Sequence, residues 1–362
     1  MSIAVGPADY GVLGSLIANA SSVKQKLDTL TNQASSGLVG DTYAGLGTGA
    51  SVSLDLRPQM ANVQTWQNNV DASTGRMAVT QSAMSNIQSI AASFYTQLNT
   101  VDGVNASAVD SIAASARDAL SQVASQLDTQ NGGVYVFAGQ DTGNPPVPDP
   151  DNILTSGFYT QINAAVSAWG TAAAVANKTY SIATAGPLPF SPTISPTLPT
   201  VQVGQNNIEK IGLLANANAL IPPSVIDPAN PPIPGGPPAS TGSYMCDLLR
   251  ALATIGSLSS GLASKSDFQA LVQDTRTSMS GAITAMAQDV GVLGNVQSSL
   301  AATQSQLADT QTALAGQVSS AEDVDMAKTM SQLSLVQTQM QASYQLIATM
   351  SSLSLVKFLP VS

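Results

Sequence analysis

From Val296 to Leu353 the chain carries an apolar stripe long enough to decide what it folds into. The stripe runs through Val296, Leu300, Thr303, Leu307, Thr310 and Leu314, at steps alternating between four and three. After a short acidic break it resumes as Met330, Leu333, Val336, Met340, Tyr344, Ile347, Met350 and Leu353. Steps of three and four keep side chains on one face of an α-helix. Held over this many turns, they describe a coiled-coil seam, and a seam this long must have a partner.

The other end of the chain supplies one. Leu16, Ala20, Val23, Leu27, Leu30 and Ala34 repeat the rhythm, and Gly37 marks a helix stop. A second run passes through Met60, Val63, Trp66, Val70, Met77, Met84, Ile87, Phe94, Leu98 and Val101, with Ser73, Thr80 and Ala91 filling its gaps. A third, Val109, Ile112, Ala116, Leu120, Val123 and Leu127, follows an Asp102-Gly103 turn. Helical arms at both ends with other material between them predict a mainly α, elongated molecule folded back on itself. The same spacings also fit the core positions of an ordinary helical bundle, and periodicity alone leaves both open.

Composition narrows the choice. Only 9% of the 362 residues are charged, against about 25% in ordinary soluble proteins. Faces built from Ser, Thr, Gln, Asn and Ala can pack against copies of themselves with little charge desolvation, which favours assembly. The net charge of −10, with scattered basic residues, argues against a nucleic-acid partner, which needs clustered Lys and Arg. No apolar run approaches the ~20 residues that span a bilayer. The N-terminus has no basic n-region, unbroken h-region or cleavage site, so export would use a route other than a cleavable Sec-type signal.

Little in the sequence points to catalysis. There is no histidine, which removes the usual general base and the commonest metal ligand together. Cys246 is the only cysteine and, beside Met245 and Leu248, reads as a small buried hydrophobe. Asp149-Pro150-Asp151-Asn152 offers oxygen ligands but lacks EF-hand spacing, so it reads as a solvated loop. Glu322, Asp323 and Asp325 follow Ser319-Ser320, which read as N-caps of the last helix with the acids in its first turn. No phosphate-cradling glycine motif is present. The expectation is a protein with no catalytic residues, metal or cofactor.

The middle differs from both ends. Asn131-Gly132-Gly133 leads into a short β-prone run, Val134 to Ala138. From Asp141 to about Thr241 the chain holds most of its 20 prolines, which excludes continuous helix and central strands. Short extended pieces are expected at Lys178–Ala183 and Thr200–Gly204, with a helical piece around Tyr159–Ala176. The result is a small β-rich, Pro-rich insert whose boundary falls near Gly235-Gly236-Pro237-Pro238. Helix resumes at about Ser243.

Four stretches in this order resemble the flagellin superfamily, and most closely its hook–filament junction branch, the hook-associated protein 3 family. Gln33 to Leu38, with Asp41 to Gly47 and Ser53 to Arg57 after it, sits where that family has its "S-S-G" helix end. Gly133 to Thr142, with its Phe137-Ala138-Gly139 turn, is similar to the junction branch's turn before a variable insert. Val290 to Gln297 resembles an "L-G" start of the C-terminal helix. Ser319 to Ala327 is similar to "S-x-x-x-D-x-D-x-A", and Gln341 to Leu359 to the junction branch's terminus. The widespread "P-S-D-D-P" element is absent, its place taken by Asp41–Gly47, and the first fifteen residues lack the usual flagellin start.

The resemblance implies an architecture and a role. Residues 1–40 and 326–362 would pair as inner helical arms lining an axial channel. Residues 41–140 and 243–325 would form the two parts of a helical bundle outside them, and 141–242 an outward insert. The implied role is that of an extracellular structural component of the bacterial flagellum, exported through a type III channel. It would join hook to filament by self-association in a ring or layer, and bind a hook-side hook-associated protein and flagellin. The implied interface is Leu16, Val23, Leu27 and Leu30 with Met330, Leu333, Met340, Tyr344, Ile347 and Leu353. An export chaperone for the C-terminal arm is a further implied partner. A filament flagellin shares nearly every feature. A helical stalk carrying a ligand-binding or enzymatic insert is the reading from a different class.

Overall fold

Helix dominates the computed structural model, which describes residues 8–101, 106–216, 233, 235–237 and 240–356, apart from the side chains of 8–13, 106 and 351–356. In chain order the elements are α1 (Ala8–Ser36), α2 (Gly49–Leu98), α3 (Ala106–Leu127), β1 (Gln130–Asn131) and β2 (Val134–Tyr135). They continue with α4 (Gly157–Ser167), α5 (Ala172–Ala185), β3 (Thr200–Gln202), β4 (Ile208–Lys210), α6 (Tyr244–Gly256), α7 (Phe268–Glu322) and α8 (Met326–Val356). The chain is therefore mainly α, with two small antiparallel hairpins. The Asp102-Gly103 turn and the stretch from Ala217 to Pro232 lie outside the described residues.

The chain divides into two compact units. One is built from residues up to Gln64 and from Ala308 onward, the other from Thr65–Leu307. Helices α2 and α7 supply residues to both.

In the first unit α1 packs along α8, as the two terminal stripes predict. Gly37 ends α1 in the left-handed region at φ 76°, and its N–H returns to the Gln33 carbonyl at 2.9 Å. The cap of α8 departs from expectation. Ser319 and Ser320 lie inside the last turn of α7, and Asp325 is the cap, accepting the Lys328 N–H at 3.0 Å. Asp325 fills the role because α7 stays helical through Glu322, which leaves Asp325 as the acceptor just ahead of the new helix.

The second unit is organised around α6, whose thirteen residues are all buried. A helix apolar on so many sides must be surrounded, and α3, α4 and α5 pack against it. Ser243 caps it, accepting the Cys246 N–H, where the sequence places the return to helix. The stripes of α2 and α3 are buried in this unit, including Val70, Met77, Met84, Ile87, Leu120, Val123 and Leu127. Ser73 and Thr80 are buried with them and return their hydroxyls to the carbonyls of Asn69 and Arg76 at 2.7 and 2.9 Å. Back-bonding of this kind lets a hydroxyl occupy a core position without an unmet donor.

Three local expectations are revised. Lys178–Ala183 is not extended but lies within α5, where Thr171 caps a run of alanines and Val175, Ala176, Thr179, Ile182 and Ala183 are buried at helical spacing. The expected helix around Tyr159–Ala176 is present but broken between Ala168 and Thr171 into α4 and α5. Val290–Gln297 does not start a helix; α7 runs through it without interruption from Phe268.

Candidate assembly surface

The sequence-derived interface residues separate into two sets once α1 and α8 are paired. Leu30 and Val336 are buried in the pair. Leu16, Val23 and Leu27 on α1, and Leu333, Met340 and Ile347 on α8, are half-buried. Met330 and Tyr344 do not join them, and each keeps 53% of its surface exposed. The true seam of α8 steps through Thr329, Leu333, Val336, Met340, Ser343, Ile347 and Met350. It holds the four-three rhythm by passing through two polar residues. Leu353 lies in the last turn of α8, with its side chain outside the described residues.

Pairing thus leaves much apolar surface uncovered. At about 100° per residue, Met326, Met330 and Tyr344 fall on one flank of the seam, and Leu335 and Leu346 on the other. Leu335 and Leu346 are 59% and 54% exposed, and Ile17 of α1 is 54% exposed. A helix with apolar residues on both flanks of its seam has room for neighbours on both.

Where the arms meet the long helices, the backbone is stitched together. The Val39 N–H donates to the Glu322 carbonyl at 2.7 Å, and the Val324 N–H to the Gly37 carbonyl at 2.9 Å. Leu38 and Asp323 form an antiparallel bridge, and Gln33 Nε2 donates to the Val39 carbonyl at 2.8 Å. At the start of α2, a Cβ on Gly49 would stand 2.7 Å from the Ala321 carbonyl oxygen. Glycine is what allows that approach.

A side-chain clasp reinforces the stitch. Glu322 accepts Arg57 Nε at 2.9 Å and Nη2 at 2.6 Å, and also the buried Ser53 hydroxyl. The fork geometry is that of a bidentate guanidinium–carboxylate pair. Hydrogen bonding from Arg57, then from Ser53, holds the Glu322 carboxyl below its ordinary range. Sequence reading placed Glu322 in the first turn of the last helix, whereas it ends α7, and missed the clasp. The available signal was its rarity, since the chain has only two glutamates, with Ser53 and Arg57 four residues apart on one helical face.

The second unit has its own lock, at the Gly133–Thr142 stretch. Gly132 and Gly133, at φ 59° and 81°, make the two-residue turn between β1 and β2. Phe137 is fully buried. Its carbonyl accepts the Ala215 N–H at 3.0 Å, and Ala138 bridges Leu214. Arg76 of α2 reaches the carbonyls of Tyr135 and Gly139 at 3.2 and 3.5 Å. Gly139 has φ 65°, and a Cβ there would stand 2.7 Å from the Ser195 carbonyl and 2.8 Å from Leu214 Cδ2. The turn therefore ties α2 to both sides of the insert.

Cys246 is buried, and burial pushes its thiol up to about 11. Asp149 accepts from Asn152 within its own loop. Among the described residues no three metal-ligating side chains stand together, and no helix is long and apolar enough to cross a membrane.

A mainly α chain whose first and last helices close on each other defines the class. The N-terminal helical region of bacterial flagellin matches residues 13–142, and the C-terminal helical region of bacterial flagellin matches residues 277–359. The chain belongs to the flagellin family and is a structural, self-associating component of the bacterial flagellum. A solved structure from Vibrio parahaemolyticus, provisionally described as a flagellar hook-associated protein, is similar at a TM-score of 0.49 and 9% identity. The likeness covers 75% of this chain and 97% of that one. No curated protein matches.

Proposed function

We propose that this chain is the junction adaptor between hook and filament, co-assembling through its helical arms with a hook-side hook-associated protein and with flagellin. The observation that carries the reading is the Phe137-Ala138-Gly139 turn. Its sequence resembles the junction branch, and its packing makes it the lock between bundle and insert. In this reading residues 1–40 and 326–362 are the inner arms, 41–140 and 243–325 the bundle, and 141–242 the insert. The uncovered flanks of α8, with Met330 and Tyr344 on one side and Leu335 and Leu346 on the other, take neighbouring subunits. Leu353 continues the arm, and an export chaperone would cover the same apolar surface before assembly. Nothing in the reading needs a catalytic residue or a cofactor.

A filament flagellin is the second reading, favoured by the match of both terminal regions to bacterial flagellin. Electron microscopy of the purified chain, alone and added to isolated hook tips, separates the two. A short terminal layer that stops growing and then accepts flagellin is the expected result. Long filaments of this chain alone would make it the filament protein.

A further inference from the structure

The all-buried helix α6 carries charge into the interior. Asp247 is 0% exposed and Arg250 4% exposed. They lie three residues apart on α6, and Asp274 of α7, also buried, completes the group. One guanidinium thus stands among two carboxylates, so full ionisation would leave a net negative charge in the core. Pairing is incomplete: Arg250 Nη1 is 4.0 Å from Asp274 Oδ2, its Nη2 donates to Ser278 at 2.6 Å, and its Nε has no hydrogen-bond partner. An uncompensated buried charge of this kind is expensive, and the cheaper state is a protonated acid.

We propose that the Asp247–Arg250–Asp274 group holds one proton through neutral pH, and that losing it loosens the grip of α7 on α6, a proton switch independent of the role assigned to the arms. The hydrogen bonds place the proton. Asp247 accepts from the Ser240 hydroxyl at 2.6 Å and the Thr241 N–H at 2.9 Å, and both favour its charged form. Asp274, whose contact to Arg250 is as long as 4.0 Å and which has the charge of Asp247 nearby, carries the proton. Burial raises both carboxyls, that of Asp274 further through Asp247.

The other groups around α6 do not supply a second charge. From α5 the Tyr180 ring stacks under the guanidinium at 5.9 Å. Arg117 of α3 and Tyr159 of α4 both reach the Gly256 carbonyl at the far end. Tyr244 lies toward Asp289 of α7 and is held neutral by burial, and so is the Cys246 thiol.

Two measurements on the full chain test this. Calorimetric unfolding in buffers of different ionisation enthalpy at pH 7.5 counts protons directly, with no variant needed. Release of close to one proton on unfolding is expected, because an exposed aspartate is ionised there; release of none overturns the proposal. The second is stability against pH for the wild type and Asp274→Asn. The wild-type unfolding constant should rise by up to about tenfold per pH unit between the unfolded aspartate value and the pH at which the folded group gives up its proton, and level off above it, while the variant lacks that rise. Parallel profiles would overturn it.

Discussion

Replacing Phe137 by alanine should strike the lock between bundle and insert, and its effect can be sized. The ring is fully buried among α2, α3 and the insert core. Removing a buried phenylalanine costs about 3–5 kcal/mol, the transfer term plus the cavity left behind. For a unit spanning Thr65–Leu307, each kcal/mol moves the midpoint by about 2–4 °C, so a fall of roughly 6–20 °C follows. Gly139→Ala gives an independent measure by a different mechanism. It forces a Cβ into the left-handed region, at about 1–2 kcal/mol, and against the Ser195 carbonyl at 2.7 Å. Thermal unfolding followed by tryptophan fluorescence is the assay, because both tryptophans, Trp66 and Trp169, lie in this unit. A loss below about 1 kcal/mol for Phe137→Ala, or tolerance of Gly139→Ala, would refute the argument that this turn locks the insert, since real burial carries more.

Three further outcomes follow from other parts of the molecule. Gly291 and Gly294 sit inside α7 with no atom within 4 Å of an added Cβ, so alanine at either should stabilise the free subunit by about 0.5–1 kcal/mol; a lower melting midpoint would contradict the open-face geometry. Burial raises Asp128 to about 6 against the pull of its hydrogen bond from Val147. Because its folded value lies above its unfolded one, its contribution is full below about pH 4 and is lost as pH rises through about 6; Asp128→Asn should remove that part of a stability–pH curve. Glu322 has the opposite sign. Its folded carboxyl is held low by Arg57 and Ser53, so the clasp contributes above the unfolded value of about 4.3 and is lost as pH falls below it. Glu322→Gln should weaken the first unit at neutral pH and flatten its acid limb, read by circular dichroism.

The helical framework was legible in the sequence because long regular periodicity is hard to mimic by chance. The stripes of α2 and α3 are buried at most of the residues the spacing names, with Met60 and Trp66 half-buried, Gly37 stops α1, and Ser243 starts α6. Legibility failed where a choice depended on contacts distant in sequence. Lys178 to Ala183 alternates well enough for a strand, but the cap at Thr171 and the alanines after it propagate helix into it, and burial of Ile182 and Ala183 completes the choice. On α8, following only apolar residues led the reading onto Met330 and Tyr344, while the strict rhythm runs through Thr329 and Ser343. The Arg57–Glu322 clasp joins residues 265 positions apart, a pairing no local pattern encodes. In the buried group on α6, the charges stood in the sequence, but their burial did not.

The most direct test of the assembly account is the double variant Met330→Glu with Tyr344→Glu. These side chains lie outside the α1–α8 seam and are each 53% exposed, so the free subunit should keep its circular dichroism and melting midpoint. Two buried charges per contact should nevertheless abolish addition to hook tips, scored by electron microscopy and sedimentation. Loss of assembly with an intact subunit is the predicted result. A double variant that assembles as the wild type does would contradict the claim that the uncovered flank of α8 carries the contacts.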